Sequence, residues 1–430
     1  MTEHVTATAP PRILLATVRS WPLAARLAMA LHDAGASVTA WCPSGHPMLK
    51  TRAIARRHTA NALTPVASLA HAIECTVPDL IVPADDQTTA HLHALYRRSP
   101  GTLIAALIER SLGDPGGFPM TSSRARLLAL AQSRSVPVPA TRVIASPGEL
   151  RSWFADHGFP AFLKADGTSG GTGVKRVRSF GDAEAAFHAL SAPPSLLRAS
   201  KRTLLDGDRS LLLPALHRER PVITVQRHVQ GTDANSAVFC WRGKVLAGIA
   251  AQVLHTRNTH GPSTVVRLIE DRRIDHAAQQ IAAALNLSGF YGFDFVIEER
   301  SGQPLLIEMN ARATQIAHLP RGQRGDLAAA AFSTLSGQPI APRPSVIGGD
   351  IVALFPQEWY RDPASSYLRT GYHDVPWSEP DLVAYCIRNK PGWQRWLTYE
   401  HWRSLRAKPA TSREAASSLH PETGISASTP

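Results

Sequence analysis

The chain has 430 residues, of which 44% are hydrophobic, and a formal net charge of +12. That length suits two or three domains with a substantial core, and the absence of any uninterrupted apolar run of about 18 residues excludes a hydrophobic membrane-spanning helix. The four cysteines, Cys42, Cys75, Cys240 and Cys386, are scattered, with no CxxC or His/Cys cluster; they read as packed thiols, which argues against a zinc site or a disulfide framework.

Met1 to Arg12 lacks the basic and apolar regions of a signal peptide, so a cytosolic protein is expected. Arginine is dispersed, with short clusters at Arg56-Arg57, Arg97-Arg98 and Arg272-Arg273. This pattern reads as a solvated basic surface that attracts phosphorylated small molecules, and a nucleic-acid partner is not expected.

In chain order, Arg12 to Thr17 forms a short apolar strand, Trp21 to Ala34 has helical spacing with Gly35 as its stop, and Ser37 to Trp41 is a second strand. A third runs from Asp79 to Pro83 into Ala84-Asp85-Asp86. A right-handed doubly wound unit places that loop at the carboxyl edge of a parallel sheet. Asp85 and Asp86 there either touch a ligand or cap the helix that begins near Thr88. No GxGxxG follows the first strand, so a dinucleotide fingerprint is absent.

Gly113 to Pro119 reads as a linker or loop between domains. A helix follows at Ser122 to Ser133 and stops at Val136-Pro137-Val138-Pro139. Strands are expected at Thr141 to Ala145 and Ala161 to Lys164, with a helix at Pro147 to His157. Residues 191–220 break the pattern and read as an insertion. Strands return at Val222 to Val229, Ala237 to Trp241 and Val245 to Ala251, the last two joined by a hairpin turn at Arg242-Gly243-Lys244. Asp275 to Leu285 reads as an amphipathic helix. A Trp- and Pro-rich segment extends from about Ser345 to Trp402, and residues from about Lys408 onward have the composition of a disordered tail.

Two segments carry chemistry. In the first, Lys164 ends an apolar strand just before Gly167-Thr-Ser169-Gly170-Gly171-Thr-Gly173. Glycines let backbone N–H groups approach phosphate oxygens, and a nearby ammonium neutralises part of the phosphate charge. Lysine occurs only seven times in the chain, which gives its placement here weight. No Gly-Lys-Ser/Thr closes the loop, so it is not a Walker A motif.

The second is a hairpin, Tyr291 to Glu298 and Leu305 to Arg312, both arms alternating with period two about a loop at Gly302. A turn centred on Ser301 sets Phe293, Phe295 and Ile297 against Met309, Ile307 and Leu305, and places Asp294 opposite Glu308. Like charges opposed across a ladder need a compensating cation, and Asn310 on the same face adds an oxygen. This outlines a Mg2+ site.

Between the two lies Gln226-Arg227-His228-Val229-Gln230-Gly231-Thr232-Asp233. The order of Lys164 and its glycine loop, this hinge, the Asp294 strand and then Glu308-Met309-Asn310-Ala311-Arg312 resembles the ATP-grasp superfamily, in particular its biotin carboxylase and carbamoyl-phosphate synthetase branch. The resemblance spans roughly Pro119 to Leu335, about half the chain. It implies an α/β and α+β architecture. A Rossmann-like N-terminal domain (1–115) precedes a two-lobed ATP-grasp domain (116–340, small lobe about 140–230), a C-terminal extension (341–405) and a tail (406–430).

Carried across by position, the resemblance gives Arg124 and Lys164 to the phosphates and Ser169, Gly170, Gly171 and Gly173 to the triphosphate. It gives Gln226, Arg227 and Val229 to the adenine, Asp233 to the ribose, and Asp294, Glu308 and Asn310 to Mg2+ (or Mn2+). Arg312 would stabilise an acyl phosphate or the transferring phosphoryl group, with Lys164 also contributing to catalysis. The implied function is an ADP-forming ligase that uses ATP to activate a small-molecule carboxylate for attack by an amine or other nucleophile, with a homodimer as the expected assembly. An ATP-binding sensor, a nucleic-acid-associated protein without ligase activity and an ATP-grasp kinase are the alternatives.

The chain departs from the pattern at four places. Arg124 stands where many members have a first lysine, Asp294 and Gln226 where glutamate is common, and Ala311 where proline is common. None removes a required charge, so an active enzyme is expected. His255, His260 and His318 are candidate acids or bases, with His318 expected at the mouth of the site. The aromatics Phe355, Trp359, Tyr360, Trp377, Trp393 and Trp396 read as core or lid packing.

Overall fold

The computed structural model describes residues 9–121, 123–166, 173–193, 220–257, 261–322, 325–339, 343 and 349–389. Its first sheet is parallel, built from β1 (Arg12–Ala16), β2 (Ser37–Cys42), β3 (Ile54–Thr59) and β4 (Leu80–Pro83) in the order β3-β2-β1-β4. Alternate residues of β1 enter different cores, Ile13 and Leu15 on one face, Leu14 and Ala16 on the other. A strand buried on both faces is apolar, as β4 is and as β1 is after its exposed Arg12. The chain order reverses direction between β1 and β4, so their carboxyl-end loops flank the crevice where doubly wound sheets bind ligands.

The second sheet is antiparallel, with order β5-β8-β6-β7: β5 (Thr141–Ile144), β6 (Ala161–Ala165), β7 (Val174–Val177) and β8 (Ile223–Arg227). Helices Pro147–His157 and Phe180–Ser191 cover one face, where Ala161, Leu163, Ala165, Ile223 and Val225 join Trp153 and Phe187 in a core. The period of two therefore turns Phe162, Lys164, Thr224 and Gln226 to the other face.

The third sheet has seven strands: β9 (Gly231–Trp241), β10 (Lys244–Thr256), β11 (Ser263–Ile269), β12 (Gly289–Glu298), β13 (Pro304–Asn310), β14 (Ile351–Ala353) and β15 (Tyr372–His373), ordered β13-β12-β9-β10-β11-β14-β15. The turn between β9 and β10 is one residue shorter than expected, since Lys244 already belongs to β10; Arg242 and Gly243, at φ 49° and 79°, have the positive φ that both central residues of a type I′ turn need. Helix Arg272–Ala284 starts at Asp271, whose carboxylate caps Arg273 N, and buries Ile274, Ala277, Ala278, Ile281 and Ala282 at helical spacing. That stripe packs with Leu127, Leu128 and Ala131 of helix Arg124–Ser133 against Phe293, Phe295, Leu306 and Met309.

The hairpin register differs from the expected one. Phe293 pairs with Met309 and Asp294 with Glu308, but a bulge then shifts the ladder so that Phe295 faces Leu306 and Ile297 faces Pro304. Leu306 rather than Ile307 or Leu305 enters the core beneath the hairpin. A bulge inserts one residue into one arm, which strict alternation does not reveal.

Two other readings are sharpened. Gly113, at φ 93°, bridges Leu287, and a Cβ there would lie 2.3 Å from the Asn286 carbonyl oxygen, so the Gly113–Pro119 loop is pinned to the large sheet. The segment after Ser345 adds β14 and β15 to that sheet; Phe355 and Trp359 are buried in its core, whereas Trp377 is 48% exposed. Trp393, Trp396, the expected tail and nearly all of the expected 191–220 insertion lie outside the described residues. No described helix is long and apolar enough to cross a membrane.

Candidate active site

Asp294 on β12 projects away from the core beneath the hairpin, because Phe293 and Phe295 on either side point into it. Asn235 on β9 and Glu308 on β13 are its register partners, so three polar side chains line up across adjacent strands. Asn235 Nδ2 donates to Asp294 Oδ1 at 2.7 Å and Asn310 Nδ2 to Oδ2 at 2.9 Å. Ser263 Oγ in turn donates to Asn235 Oδ1 at 3.1 Å, which orients the amide. Burial, and then the charge of Glu308, push Asp294 up to about 6 against the lowering effect of these amides and Arg312.

The small sheet supplies the opposing wall. Lys164 is 7% exposed, and its Nζ donates to Gln226 Oε1 at 2.7 Å. Burial and the neighbouring Arg124 bring Lys164 down to about 8, while Glu308, Asp294 and Asp233 pull the other way. An ammonium held this way is short of negative charge.

Arg124 joins the two walls. It occupies the first turn of its helix, and its guanidinium reaches Glu308 Oε1 at 2.8 Å and Asp166 Oδ1 at 3.3 Å. Asp166 directly precedes the glycine-rich segment, so one arginine spans from the base of that segment to the carboxylate pair. Its Nε is buried without a hydrogen-bond partner, a donor lacking an acceptor. An anionic ligand oxygen would satisfy it.

Arg312 lies at the junction with the parallel sheet. Its Nε donates to Asp86 Oδ1 at 2.7 Å and an Nη to Asn310 Oδ1 at 2.9 Å. Burial disfavours its charge, but Asp86, Asp294 and Asp85 outweigh that and raise its pKa. Two backbone-level contacts hold the domains in register here: Thr89 Oγ1 donates to the Ala311 carbonyl at 2.8 Å, and Ala313 N to the Pro83 carbonyl at 3.0 Å.

The two aspartates at the edge of the parallel sheet divide the readings between them. Asp85 is the N-cap of helix Asp86–Arg98, accepting from Thr88 N and Oγ1, Thr17 Oγ1 and Val18 N at 2.7–2.9 Å. It is structural. Asp86 is 54% exposed in its side chain and pairs with Arg312.

The remaining site residues spread outward. Gln226 is buried, donating to Thr141 Oγ1 at 3.1 Å while holding Lys164. Arg227 is exposed and 3.8 Å from Glu298 Oε1, Val229 is buried, and Asp233 is exposed on the strand register beside Val296. Gly173 is described and buried; Ser169, Gly170 and Gly171 lie outside the described residues, as does His260.

His318 does not stand at the mouth of the site. It is 6% exposed, with Nε2 2.6 Å from Asp374 Oδ2, and Asp374 also pairs with Arg26. The turn after Arg312 carries it into the junction between helix Pro22–Asp33 and the C-terminal segment. His255 packs its ring against Tyr367, 5.2 Å between centroids. Neither histidine contacts the carboxylate pair. The sequence reading missed Asn235, Ser263 and Asp166; the spacing of two from Lys164 to Asp166, and the period of two that puts Asn235 and Asp233 on one face of β9, were the available signals.

No group of three or more His, Cys, Asp or Glu side chains suited to a metal is present among the described residues. Mg2+ does not require one, because it takes one or two carboxylates and completes its shell with water and phosphate oxygens. Asp294 and Glu308 fit that mode. Asn310 Oδ1 accepts from Arg312, which leaves its second lone pair for a metal.

A family model described as an ATP-grasp domain matches residues 208–315. Among solved structures, the biotin carboxylase domain of Hydrogenobacter thermophilus 2-oxoglutarate carboxylase, in complex with MgADP, ADP and bicarbonate, is 15% identical. It covers 78% of this chain and 71% of its own, with a TM-score of 0.53. The N5-carboxyaminoimidazole synthase of Aspergillus clavatus, with ADP and 5-aminoimidazole ribonucleotide, is 13% identical over 77% of this chain and 78% of its own, TM-score 0.55. The N5-carboxyaminoimidazole synthetase of Staphylococcus aureus with ADP is likewise 13% identical, over 78% and 79%, TM-score 0.53. A comparison with curated proteins found no match. At these identities the likeness is one of fold.

Proposed function

With an ATP-grasp domain and fold as the premise, we propose that this chain binds Mg·ATP between its small and large sheets and uses it to activate a carboxylate as an acyl phosphate. An amine or other nucleophile then displaces the phosphate, and ADP and inorganic phosphate leave. The observation that carries this reading is Arg124, a buried cation with an unsatisfied Nε that ties Asp166, beside the glycine-rich segment, to Glu308 of the carboxylate pair.

Each wall has a part in the chemistry. Lys164 and Arg124 hold phosphate oxygens, and the drop in Lys164 to about 8 means that a phosphate anion restores a charge that burial disfavours. Asp294 and Glu308 would hold Mg2+, which when bound neutralises charge on the transferring phosphoryl group. The paired amides of Asn235 and Asn310 fix the rotamer of Asp294 before any ligand arrives. Arg312, locked by Asp86 and Asn310, presents a fixed positive charge at the crevice between β1 and β4, where an acyl phosphate oxygen develops charge.

The carboxylate enters from that crevice in this reading, since the other face of the large sheet is filled by helices Arg124–Ser133 and Arg272–Ala284. The test is a screen of small carboxylates paired with amines, read by phosphorus NMR. ADP and inorganic phosphate appearing together with an amide or related product support ligation. AMP and pyrophosphate reject it, and a stable phosphorylated acceptor assigns a kinase instead. Glu308→Ala is expected to lower turnover about a hundredfold or more, because it removes one of two carboxylates available to the metal.

A further inference from the structure

We propose that Arg124 sets the order of binding, occupying the place beside Glu308 that a divalent cation needs until a nucleotide phosphate draws it away. The inference rests on the nucleotide reading above and concerns how that site is switched. Two of the three guanidinium nitrogens of Arg124 meet carboxylates, Glu308 at 2.8 Å and Asp166 at 3.3 Å, while the N–H of Nε has no acceptor. Its side chain is 8% exposed against 39% for Glu308, so solvent does not substitute for the missing acceptor.

Charge counting explains why the free site resists a cation. Lys164, Arg124 and Arg312 set three positive side chains among Asp86, Asp166, Asp294 and Glu308. Three cations against four carboxylates leave one net negative charge, so most of the negative charge is already compensated in place. A dication entering alone must displace the guanidinium from Glu308 and leave it buried beside Lys164, which it already repels. A nucleotide changes both sides of this balance. Its phosphates offer Nε an acceptor, compensate Arg124 and Lys164 together, and bring the negative charge that makes a cation welcome at Glu308 and Asp294.

Linkage makes the coupling reciprocal: whatever factor ADP adds to metal affinity, metal adds to ADP affinity. Two variants separate the guanidinium from Glu308 in opposite ways. Arg124→Gln removes the competitor for the metal, and Glu308→Gln releases the arginine toward phosphate.

The experiment uses the full chain with Mn2+ and ADP as probes. Mn2+ binding is read by electron paramagnetic resonance, and metal-free ADP binding by calorimetry in EDTA. For the wild type, Mn2+ affinity is expected to rise about tenfold or more when ADP is saturating. Arg124→Gln is expected to bind Mn2+ alone about fivefold tighter than wild type and to lose most of the ADP enhancement. Glu308→Gln is expected to bind metal-free ADP about threefold tighter. Wild type binding Mn2+ equally with and without ADP, or Glu308→Gln binding metal-free ADP no tighter than wild type, overturns the proposal. If Arg124→Gln fails to fold by circular dichroism, those two measurements still decide. A wild type that binds no ADP with or without Mn2+ overturns the nucleotide reading itself, a result distinct from nucleotide binding without coupling.

Discussion

Lys164 shows how one side chain reports on the charges around it. Its ordinary pKa of 10.5 falls to about 8 when burial and Arg124 surround it. A lysine lowered in the folded state binds fewer protons there than in the unfolded chain between these two values. The free protein therefore gains stability as pH rises from about 8 toward 10.5, and loses that contribution below 8. Phosphate beside the ammonium restores its proton. ADP binding at pH 9 is accordingly expected to take up a proton, measured by calorimetry in buffers of different ionisation enthalpy, and Lys164→Met is expected to abolish that uptake. Equal proton uptake by the variant would assign it to another group.

At the scale of the element, the hairpin β12–β13 depends on a side chain that β12 leaves out at Gly292. Gly292 pairs with Asn310, and a Cβ built on it would lie 2.2 Å from Thr314 Cγ2 and 2.9 Å from its Oγ1. The missing side chain lets the turn after Arg312 fold back onto β12, which aims Arg312 at Asp86. Gly292→Ala is expected to destabilise the protein by about 1–3 kcal/mol through overpacking, and Thr314→Ala to recover part of that loss. A double-mutant cycle by urea denaturation measures the coupling. Strict additivity of the two changes would mean that the contact is not what positions the turn. The bulge after Asp294 belongs to the same logic: it keeps Asp294 opposite Glu308 while admitting Leu306, out of the expected register, to the core.

The whole molecule is held at a junction remote from the candidate chemistry. Asp374 is 1% exposed and pairs with Arg26 from helix Pro22–Asp33 and with His318 from the turn after Arg312. Arg343 extends the junction, donating to the His318 carbonyl at 3.1 Å and to Asp326 at 2.9 Å. Burial alone would raise Asp374, but Arg26 and His318 hold it down at about 2. A lowered carboxylate contributes stability above its unfolded pKa, and that contribution is lost as pH falls toward about 2. Asp374→Ala leaves Arg26 buried without its counter-ion and is expected to cost about 3–5 kcal/mol in urea denaturation. A loss under about 1 kcal/mol would show that the three segments are held by apolar packing alone. The shared core supports the same junction, because Ile13, Phe239, Val352 and Leu382 from three parts of the chain belong to one cluster.

The sequence by itself determined the local elements and much of the residue set. Period-two alternation placed Asp294 opposite Glu308, a lysine before a glycine-rich run marked the end of β6, and helical spacing fixed helix Pro147–His157 to the residue. These are properties of neighbours along the chain, set by side-chain period and turn chemistry. Tertiary structure decided the rest, because it depends on which distant segments meet. Helix Leu103–Leu112 and strands β3 and β11 are not marked by local pattern: β3 is a largely exposed edge strand beside β2, and β11 pairs with the distant β14 as well as with its neighbour β10. Asp85 and Asp86 are adjacent and alike in sequence, yet one caps a helix and the other meets Arg312, 226 residues away. His318 follows Arg312 closely but turns away from it to Asp374. Arg124 reads in sequence as a substituted lysine; only the packing of its helix against β13 brings its charge to Glu308, where long-range electrostatics gives it a second part.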